Sequence, residues 1–312
     1  YVTGGAGFIG SNLCTELVKK NYQVIAIDNL STGNLNFIKH LLKKKNFKFF
    51  KINLNNKKKI KHLFSNKSVV VHLAANADVR YGIKKRDKDI KENIIVTSNV
   101  LESCIFNKVN KIIFASTGSV YGDAKIIPTA ENYSYPIQTS LYANSKNAAE
   151  GLITTYSNYF GLKYTIFRFV SVLGKNYTHG HVRDFLIKLK KNKNSIKILG
   201  NGLQKKSYLH VNDCVNAILL AIKKKKYEKK ILNLGTNEWI TVNQSLRYIC
   251  NYLKINPKVK RDKTKSGWPG DNPKIFLKLS KIKNLGWKPK KNIKESILDT
   301  VKFLTENKKF IK

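Results

Sequence analysis

The sequence contains no methionine, not even at its start. It opens Tyr1-Val2-Thr3 in what reads as a strand cut short, so a few residues are expected upstream. No secretory leader is visible ahead of that strand. Cysteine is sparse: Cys14, Cys104, Cys214 and Cys250 are the four present. None forms a Cys-x-x-Cys pair, and none has metal-ligand spacing. They read as reduced, mostly buried thiols of a cytoplasmic protein. The six histidines form no ligand pair on a helix face, and His179 and His181 suit a loop better than a metal, so no metal is expected. Uninterrupted apolar runs of the roughly 18 residues that span a bilayer are missing too, so no membrane partner is expected.

Acidic residues are also few. Asp and Glu total 19 against 59 Lys and Arg, for a formal charge of +40. The excess comes from runs such as Lys43 to Lys45, Lys57 to Lys59 and Lys223 to Lys226. A basic surface suits nucleic acid or anionic lipid. No helix-turn-helix, zinc finger or aromatic RNA-binding motif accompanies the charge. The same segments are rich in Asn and Ile, which favours compositional drift towards Lys over nucleic-acid recognition. Such a surface still attracts an anionic nucleotide.

What is present is an ordinary apolar fraction of 42% over 312 residues, enough for one large α/β domain and a smaller lobe. Apolar runs at Gln23 to Asp28, Phe47 to Ile52, Val69 to Leu73, Lys111 to Ala115 and Tyr164 to Phe169 read as buried parallel strands. Helical patterns lie between them, as at Ile9 to Lys20 and Asn93 to Phe106. This alternation predicts a Rossmann-type doubly wound parallel sheet, with ligands beyond the carboxyl ends of its strands. The expected division is a dinucleotide-binding domain over residues 1–170, with later contributions around 207–236, and a mixed substrate lobe mainly over 171–312. Further helices are predicted at Val182 to Lys191, Val211 to Lys224, Val242 to Leu253 and Ile293 to Leu304. Thr241 with Gln244 and Asn292 with Glu295 have the spacing of capping boxes. Gly and Pro around Gly267 to Pro273 mark a loop.

The first chemical motif is Thr3 to Gly10, T-G-G-A-G-F-I-G. Gly5, Gly7 and Gly10 meet the G-x-G-x-x-G spacing; Gly4, Gly7 and Gly10 meet a related one. Such a loop needs backbone freedom, close approach of a pyrophosphate, and tight packing of helix on strand. The helix that begins near Ile9 aims its free amides at the phosphates. A second apolar strand ends at Asp28, 18 residues after Gly10. A carboxylate there accepts hydrogen bonds from adenosine ribose hydroxyls and repels the extra phosphate of NADP. NAD is therefore the expected cofactor.

The second motif is Tyr142 and Lys146, four residues apart at the start of a helical pattern. A phenol titrates near ~10, and a neighbouring ammonium favours its ionised form. Lysine also follows four places after Tyr81, Tyr121 and Tyr159, so spacing alone decides nothing. Context selects Tyr142: it follows the loop Pro136 to Leu141, and it comes after a strand that runs into the hydroxyl-rich Ser116, Thr117, Gly118, Ser119.

With these segments, the sequence resembles an extended short-chain dehydrogenase/reductase of the NAD-dependent sugar epimerase/dehydratase family, on the UDP-glucose 4-epimerase-like branch. The resembling segments are TGGAGFIG at Thr3, DNLSTGN at Asp28, HLAANADVR at His72, ASTGSVYG at Ala115, SLYANSK at Ser140 and GWPGD at Gly267. The resemblance implies that Gly4, Gly7, Phe8, Ile9 and Gly10 face the pyrophosphate, and that Asp28, Asn29, Asn53 and Leu54 serve the adenosine side. It implies that Leu73, Ala74 and Ala75 line the cofactor groove, with Asn93 in support. Thr117 would hydrogen-bond the reacting hydroxyl, Tyr142 would be the base, and Lys146 would bind the nicotinamide ribose. Ser171, His181, Lys206, Tyr208 and Trp268 are the candidates for the substrate, a nucleotide-diphosphate sugar. A homodimer is also implied.

This chain departs from the family pattern at several of these positions. Gly118 and Ser119 stand where dehydratases carry an Asp-Glu pair, which argues against dehydration. Asn53 stands in place of an adenine-binding Asp, and Ser171 in place of an Asn. Lys206 replaces a phosphate-binding Arg, and Trp268 a second one; a lysine binds phosphate as a point charge, without the planar fork. The expected reaction is inversion at carbon 4 of a UDP-glucose or UDP-galactose type sugar through a 4-keto intermediate. Other outcomes of that intermediate (decarboxylation, 2-epimerisation, dehydration, net reduction) are the enzymatic alternatives. A non-catalytic NAD- or nucleic-acid-binding protein on the same fold is the alternative outside catalysis.

Overall fold

A computed structural model describes residues 1–134, 136–264, 267–268, 270–272 and 274–311. Pro269 and Pro273 of the expected Gly267 to Pro273 loop lie outside the described residues. The first half alternates as expected: β1 Val2–Thr3, α1 Phe8–Lys19, β2 Val24–Asp28, β3 Phe47–Lys51, α2 Lys57–Ile60, β4 Val69–His72, α3 Tyr81–Lys84, α4 Val96–Phe106, β5 Lys111–Thr117, α5 Leu141–Phe160 and β6 Lys163–Phe169. The second half runs β7 Ser171–Leu173, α6 His181–Lys191, β8 Ser195–Ile198, β9 Lys205–Lys206, β10 Tyr208–His210, α7 Val211–Lys223, β11 Lys230–Leu234, β12 Ile240–Thr241, α8 Val242–Leu253, β13 Lys258–Arg261, β14 Lys274–Ile275, α9 Ser280–Asn284 and α10 Ile293–Glu306.

Seven strands form the main sheet in the order β11-β6-β5-β4-β1-β2-β3. The pairs β1 with β2, β1 with β4, β2 with β3, and β4 with β5 are all parallel. The chain leaves β3 at one edge and returns as β4 beside β1, so the strand order reverses there. Crevices at such reversals, outside the carboxyl ends of the strands, are where doubly wound sheets bind ligands. The apolar faces of the sheet strands and of α4 and α5 explain the packing: Ile27, Val70, Val100, Leu101, Ile112, Phe114, Ala149, Ile153 and Ile166 share one buried cluster.

Two compact units are defined. The first comprises Tyr1–Val120, Ser140–Arg168 and Val215–Leu232. The second comprises Tyr121–Thr139, Phe169–Cys214 and Asn233–Lys312. Short paired strands lie in the second: β10 with β7, β13 with β8, and β9 between β12 and β14. Both expected capping boxes form, at Thr241 with Gln244 and at Asn292 with Glu295.

Two local details differ from the sequence reading. The helix expected from Asn93 is preceded by a π-helical segment, Ile90–Ile95. In it the Thr97 hydroxyl donates to the Asn93 carbonyl at 2.5 Å, and the Asn93 side chain turns into the interior. Such widened turns cluster at functional positions. His181 is not in a loop; it opens α6, with Gly180 at φ 109° before it. Among the described residues no helix is long and apolar enough to cross a membrane.

Candidate active site

The glycine loop joins β1 to α1. Gly4 has φ +69°, and a Cβ there would come within 2.8 Å of the Ala74 amide nitrogen. A Cβ on Gly10 would fall 2.1 Å from the Gly4 carbonyl oxygen. Both close approaches bar any larger residue. Gly7 is the N-cap of α1 and supplies no side-chain cap, and no acid occupies the first turn. The helix therefore presents amide donors and its positive dipole end without an internal anion. Phe8 is buried and Ile9 half-buried at this turn.

Asp28 ends β2 and is tied back to that loop. Its Oδ2 accepts the Ala6 amide at 3.0 Å and its Oδ1 the Leu30 amide at 2.8 Å. Gly33 leaves it room, since a Cβ there would lie 2.7 Å from Oδ1. Burial raises the Asp28 carboxyl above the usual range, and the two amides oppose that shift. Each oxygen keeps a lone pair for a ribose hydroxyl. Asn29 caps its own turn by accepting the Ser31 amide at 2.9 Å. Asn53 is exposed and likewise accepts the Asn55 amide at 3.0 Å. The Leu54 side chain packs in the core, while its carbonyl accepts from Asn99 at 3.1 Å.

Leu73, Ala74 and Ala75 follow β4 and are half-buried. Thr3 organises them: its Oγ1 accepts the amides of Leu73 and Ala74, each at 3.2 Å, and meets His72 Nδ1 at 2.7 Å. His72 is fully buried, and burial pulls it down to about 3. It is a neutral strut between Thr3 and Thr97. Asn93 is buried; its Oδ1 accepts the Asn76 amide and its Nδ2 donates to Ser145 Oγ, each at 2.8 Å.

Strand β5 delivers Thr117, and the first turns of α5 deliver Tyr142 and Lys146. Ser140 caps α5 by accepting the Ala143 amide at 3.1 Å, which fixes where the helix starts. The Thr117 hydroxyl lies close enough to the Tyr142 phenol to bear on its titration. Burial pushes the Tyr142 phenol up to about 12, with Thr117 acting in the opposite direction. Lys146 is 3% exposed; it donates to the Ala115 carbonyl at 2.8 Å and lies 4.7 Å from the centre of the Phe114 ring. Burial pulls its ammonium down to about 8, while Glu150 and Asp89 pull it back up. Glu150 is locked by Arg168 at 2.7 Å and by the Ser116 hydroxyl. Tyr142 and Lys146 are thus buried, Thr117 is half-buried, and Thr117 bears on the Tyr142 phenol.

The five substrate candidates all lie in the second unit. Tyr208 on β10 is the register partner of the exposed Ser171 on β7. The His181 ring is 4.9 Å from that of Tyr208, and its Nε2 meets Ser245 Oγ at 2.8 Å. Burial holds His181 down to about 3 and raises the Tyr208 phenol. Lys206 on β9 is paired with buried Asp271 at 2.5 Å and lies 5.0 Å from the centre of the Trp268 ring. Sequence reasoning missed Asp271, although it sits in the quoted GWPGD segment. It also missed the roles of Asn76, Asp89, Ser145, Glu150 and Arg168, whose partners are remote in the sequence.

The model of the NAD-dependent epimerase/dehydratase family matches residues 1–235. The chain belongs to that family. The protein named "Putative UDP-glucose 4-epimerase" of Methanocaldococcus jannaschii is 34% identical over 98% of either chain. The UDP-glucuronate 4-epimerase of Thermodesulfobacterium geofontis is 32% identical over 100% of this chain and 97% of that one. The UDP-glucose 4-epimerase of Thermotoga maritima, solved with UDP-glucose, superimposes with a TM-score of 0.87 at 32% identity, covering 98% of both. The fold is that of the extended short-chain dehydrogenases/reductases, and the cofactor of this epimerase/dehydratase family is NAD. The residues fit that group: the glycine cradle, the uncapped amides of α1 and the carboxylate of Asp28 match pyrophosphate and ribose chemistry.

Proposed function

We propose that this chain inverts carbon 4 of a nucleotide-diphosphate sugar, of the UDP-glucose and UDP-galactose type, through a 4-keto sugar. The observation that carries the reading is the set of half-buried Thr117 with buried Tyr142 and Lys146, with Gly118 and Ser119 following where an eliminating acid pair would be needed. Bound NAD supplies the acceptor and donor of hydride, and the protein supplies position and proton transfer. In this reading the glycine loop and Asp28 hold the dinucleotide, with Leu73, Ala74 and Ala75 along it. Thr117 holds the sugar 4-hydroxyl by a hydrogen bond. Tyr142 takes that proton and later returns it. Lys146 provides the positive charge that stabilises the phenolate while Tyr142 is deprotonated. With no acid at 118 or 119 to expel water, the keto sugar is reduced again in place.

Ser171, His181, Lys206, Tyr208 and Trp268 are the proposed contacts for the nucleotide sugar. Lys206 already answers Asp271, so a diphosphate receives less free charge from it than from an unpaired arginine. The exposed apolar residues Phe106 on α4 and Tyr159 and Phe160 on α5 support a homodimer, which light scattering tests.

The deciding experiment incubates the protein with UDP-glucose, UDP-galactose, UDP-glucuronate and their N-acetyl counterparts and follows products by NMR. Interconversion of a 4-epimer pair is expected. Conversion of none of them, with NAD demonstrably bound, overturns the reading.

A further inference from the structure

One buried carboxylate beside the catalytic pair has no part in the proposed reaction. Asp89 is 0% exposed. Its Oδ1 accepts Asn76 Nδ2 at 2.7 Å and Asn93 Nδ2 at 3.4 Å, but its Oδ2 has no hydrogen-bond partner. A buried carboxylate oxygen left unpaired is costly, and an apolar side chain would fill the same space without that cost. The space itself exists because residue 82 is glycine: a Cβ there would lie 2.7 Å from Asp89 Oδ2 and 3.3 Å from Leu141 Cβ. One point thus borders both the carboxylate and the residue just before Tyr142.

A continuous set of hydrogen bonds leads from Asp89 to the catalytic helix. The same Asn93 amide nitrogen that donates to Asp89 also donates to Ser145 Oγ at 2.8 Å. Ser145 Oγ in turn donates to the Tyr142 carbonyl at 2.8 Å. Burial raises the Asp89 carboxyl above the usual range; the Asn76 hydrogen bond and the charges of Lys146 and Lys88 oppose that shift, and Asp78 adds to it. Lys146 itself also feels Glu150, and neutral His72 feels Lys146.

We propose that Asp89 is a positioning residue for the Tyr142–Lys146 pair: its carboxylate is a buried counter-charge to the Lys146 ammonium and, through Asn93 and Ser145, braces the first turn of α5. The inference rests on the reading of Tyr142 as the base. Its sign is defined, because an ionised Asp89 favours the protonated form of both Tyr142 and Lys146. Neutralising it therefore shifts both titrations towards lower pH. Gly82 belongs to the same device, since it gives the carboxylate its place.

The test uses Asp89→Asn, which keeps an acceptor for Asn76 and removes the charge, and Gly82→Ala, which keeps the charge and displaces it. The first readout is the titration of Lys146 in the NAD-loaded protein, followed by NMR of side-chain-labelled lysine and assigned by its loss in Lys146→Met. The second is the pH–rate profile for 4-epimerisation. Asp89→Asn is expected to move both towards lower pH by at least about half a unit, and Gly82→Ala to move them in the same direction. A folded Asp89→Asn protein with an unmoved Lys146 titration overturns the proposal. Should Asp89→Asn fail to fold, an unmoved titration in Gly82→Ala does so. The NMR readout needs no turnover, so absence of activity in the parent protein would count against the epimerase reading alone.

Discussion

The amide of Ala6 donates to Oδ2 of Asp28 at 3.0 Å, joining the glycine loop to the end of the second strand across 22 residues. The carboxylate therefore shapes the glycine loop, and its remaining lone pairs are the proposed acceptors for a ribose. Asp28→Ala removes both functions. NAD affinity is expected to fall by at least about tenfold, since bonds to charged acceptors are worth ~1.5–3 kcal/mol each. Fluorescence titration with NAD checks this, and an unchanged affinity would contradict the assignment.

Tyr142→Phe keeps the ring in its buried site and removes the hydroxyl. Loss of a positioned acid–base group predicts a fall in kcat of about 100-fold or more, with retained NAD. Circular dichroism and cofactor retention separate this from unfolding. Thr117→Val is expected to lower kcat in the same direction, because it removes the hydroxyl that eases ionisation of Tyr142.

Lys146 provides a pH-dependent prediction. Its folded-state value, about 8, lies below the usual 10.5. The unfolded chain thus binds more protons between those values, and stability contributed by this group rises with pH there. Below about pH 8 the buried ammonium carries its full cost. The melting temperature of the chain relative to Lys146→Met should therefore rise from pH 8 to pH 10.5. A constant difference across that window would be inconsistent with a depressed Lys146.

Two glycines should respond oppositely to alanine. At Gly10 a Cβ would lie 2.1 Å from the Gly4 carbonyl, a backbone atom that cannot step aside. Gly10→Ala is expected to destabilise by about 1–3 kcal/mol and to weaken NAD binding. Gly151 lies in α5 with nothing within 4 Å of its would-be Cβ. Gly151→Ala is expected to stabilise by roughly 0.5–1 kcal/mol, from helix propensity alone. Urea unfolding of both variants measures the contrast.

Lys206→Ala leaves Asp271, whose side chain is 3% exposed, without its cation. Breaking a buried pair on one side costs about 3–5 kcal/mol. A loss of that order in urea unfolding is expected, with a raised KM for the nucleotide sugar. A stability change near zero would show that the pair is solvated.

The local parts of the site were legible because their chemistry is set by neighbours in the chain. The glycine spacing specifies close approach at Gly4 and Gly10. The alternation of strand and helix specifies a doubly wound parallel sheet. The four-residue spacing at the start of a helical pattern places Tyr142 and Lys146 one turn apart. Both capping boxes were read from two residues each, since a cap satisfies backbone groups within its own turn. The π-helical start at Ile90 and the helical position of His181 were not legible, because each is decided by what packs against it.

The sequence alone therefore singled out the glycine loop, the acidic end of the second strand and the Thr117, Tyr142 and Lys146 set. Each is a short spacing whose backbone consequences are local. Only the tertiary structure decided the remote partners within each unit. Asn93 meets Ser145 across 52 residues, Lys206 meets Asp271 across 65, and Arg168 meets Glu150 across 18. Such partners are chosen by the packing of sheet on helix, which brings remote residues together and strips them of water. Burial then sets the protonation of Tyr142, Lys146 and Asp89, a property that no spacing in the chain encodes.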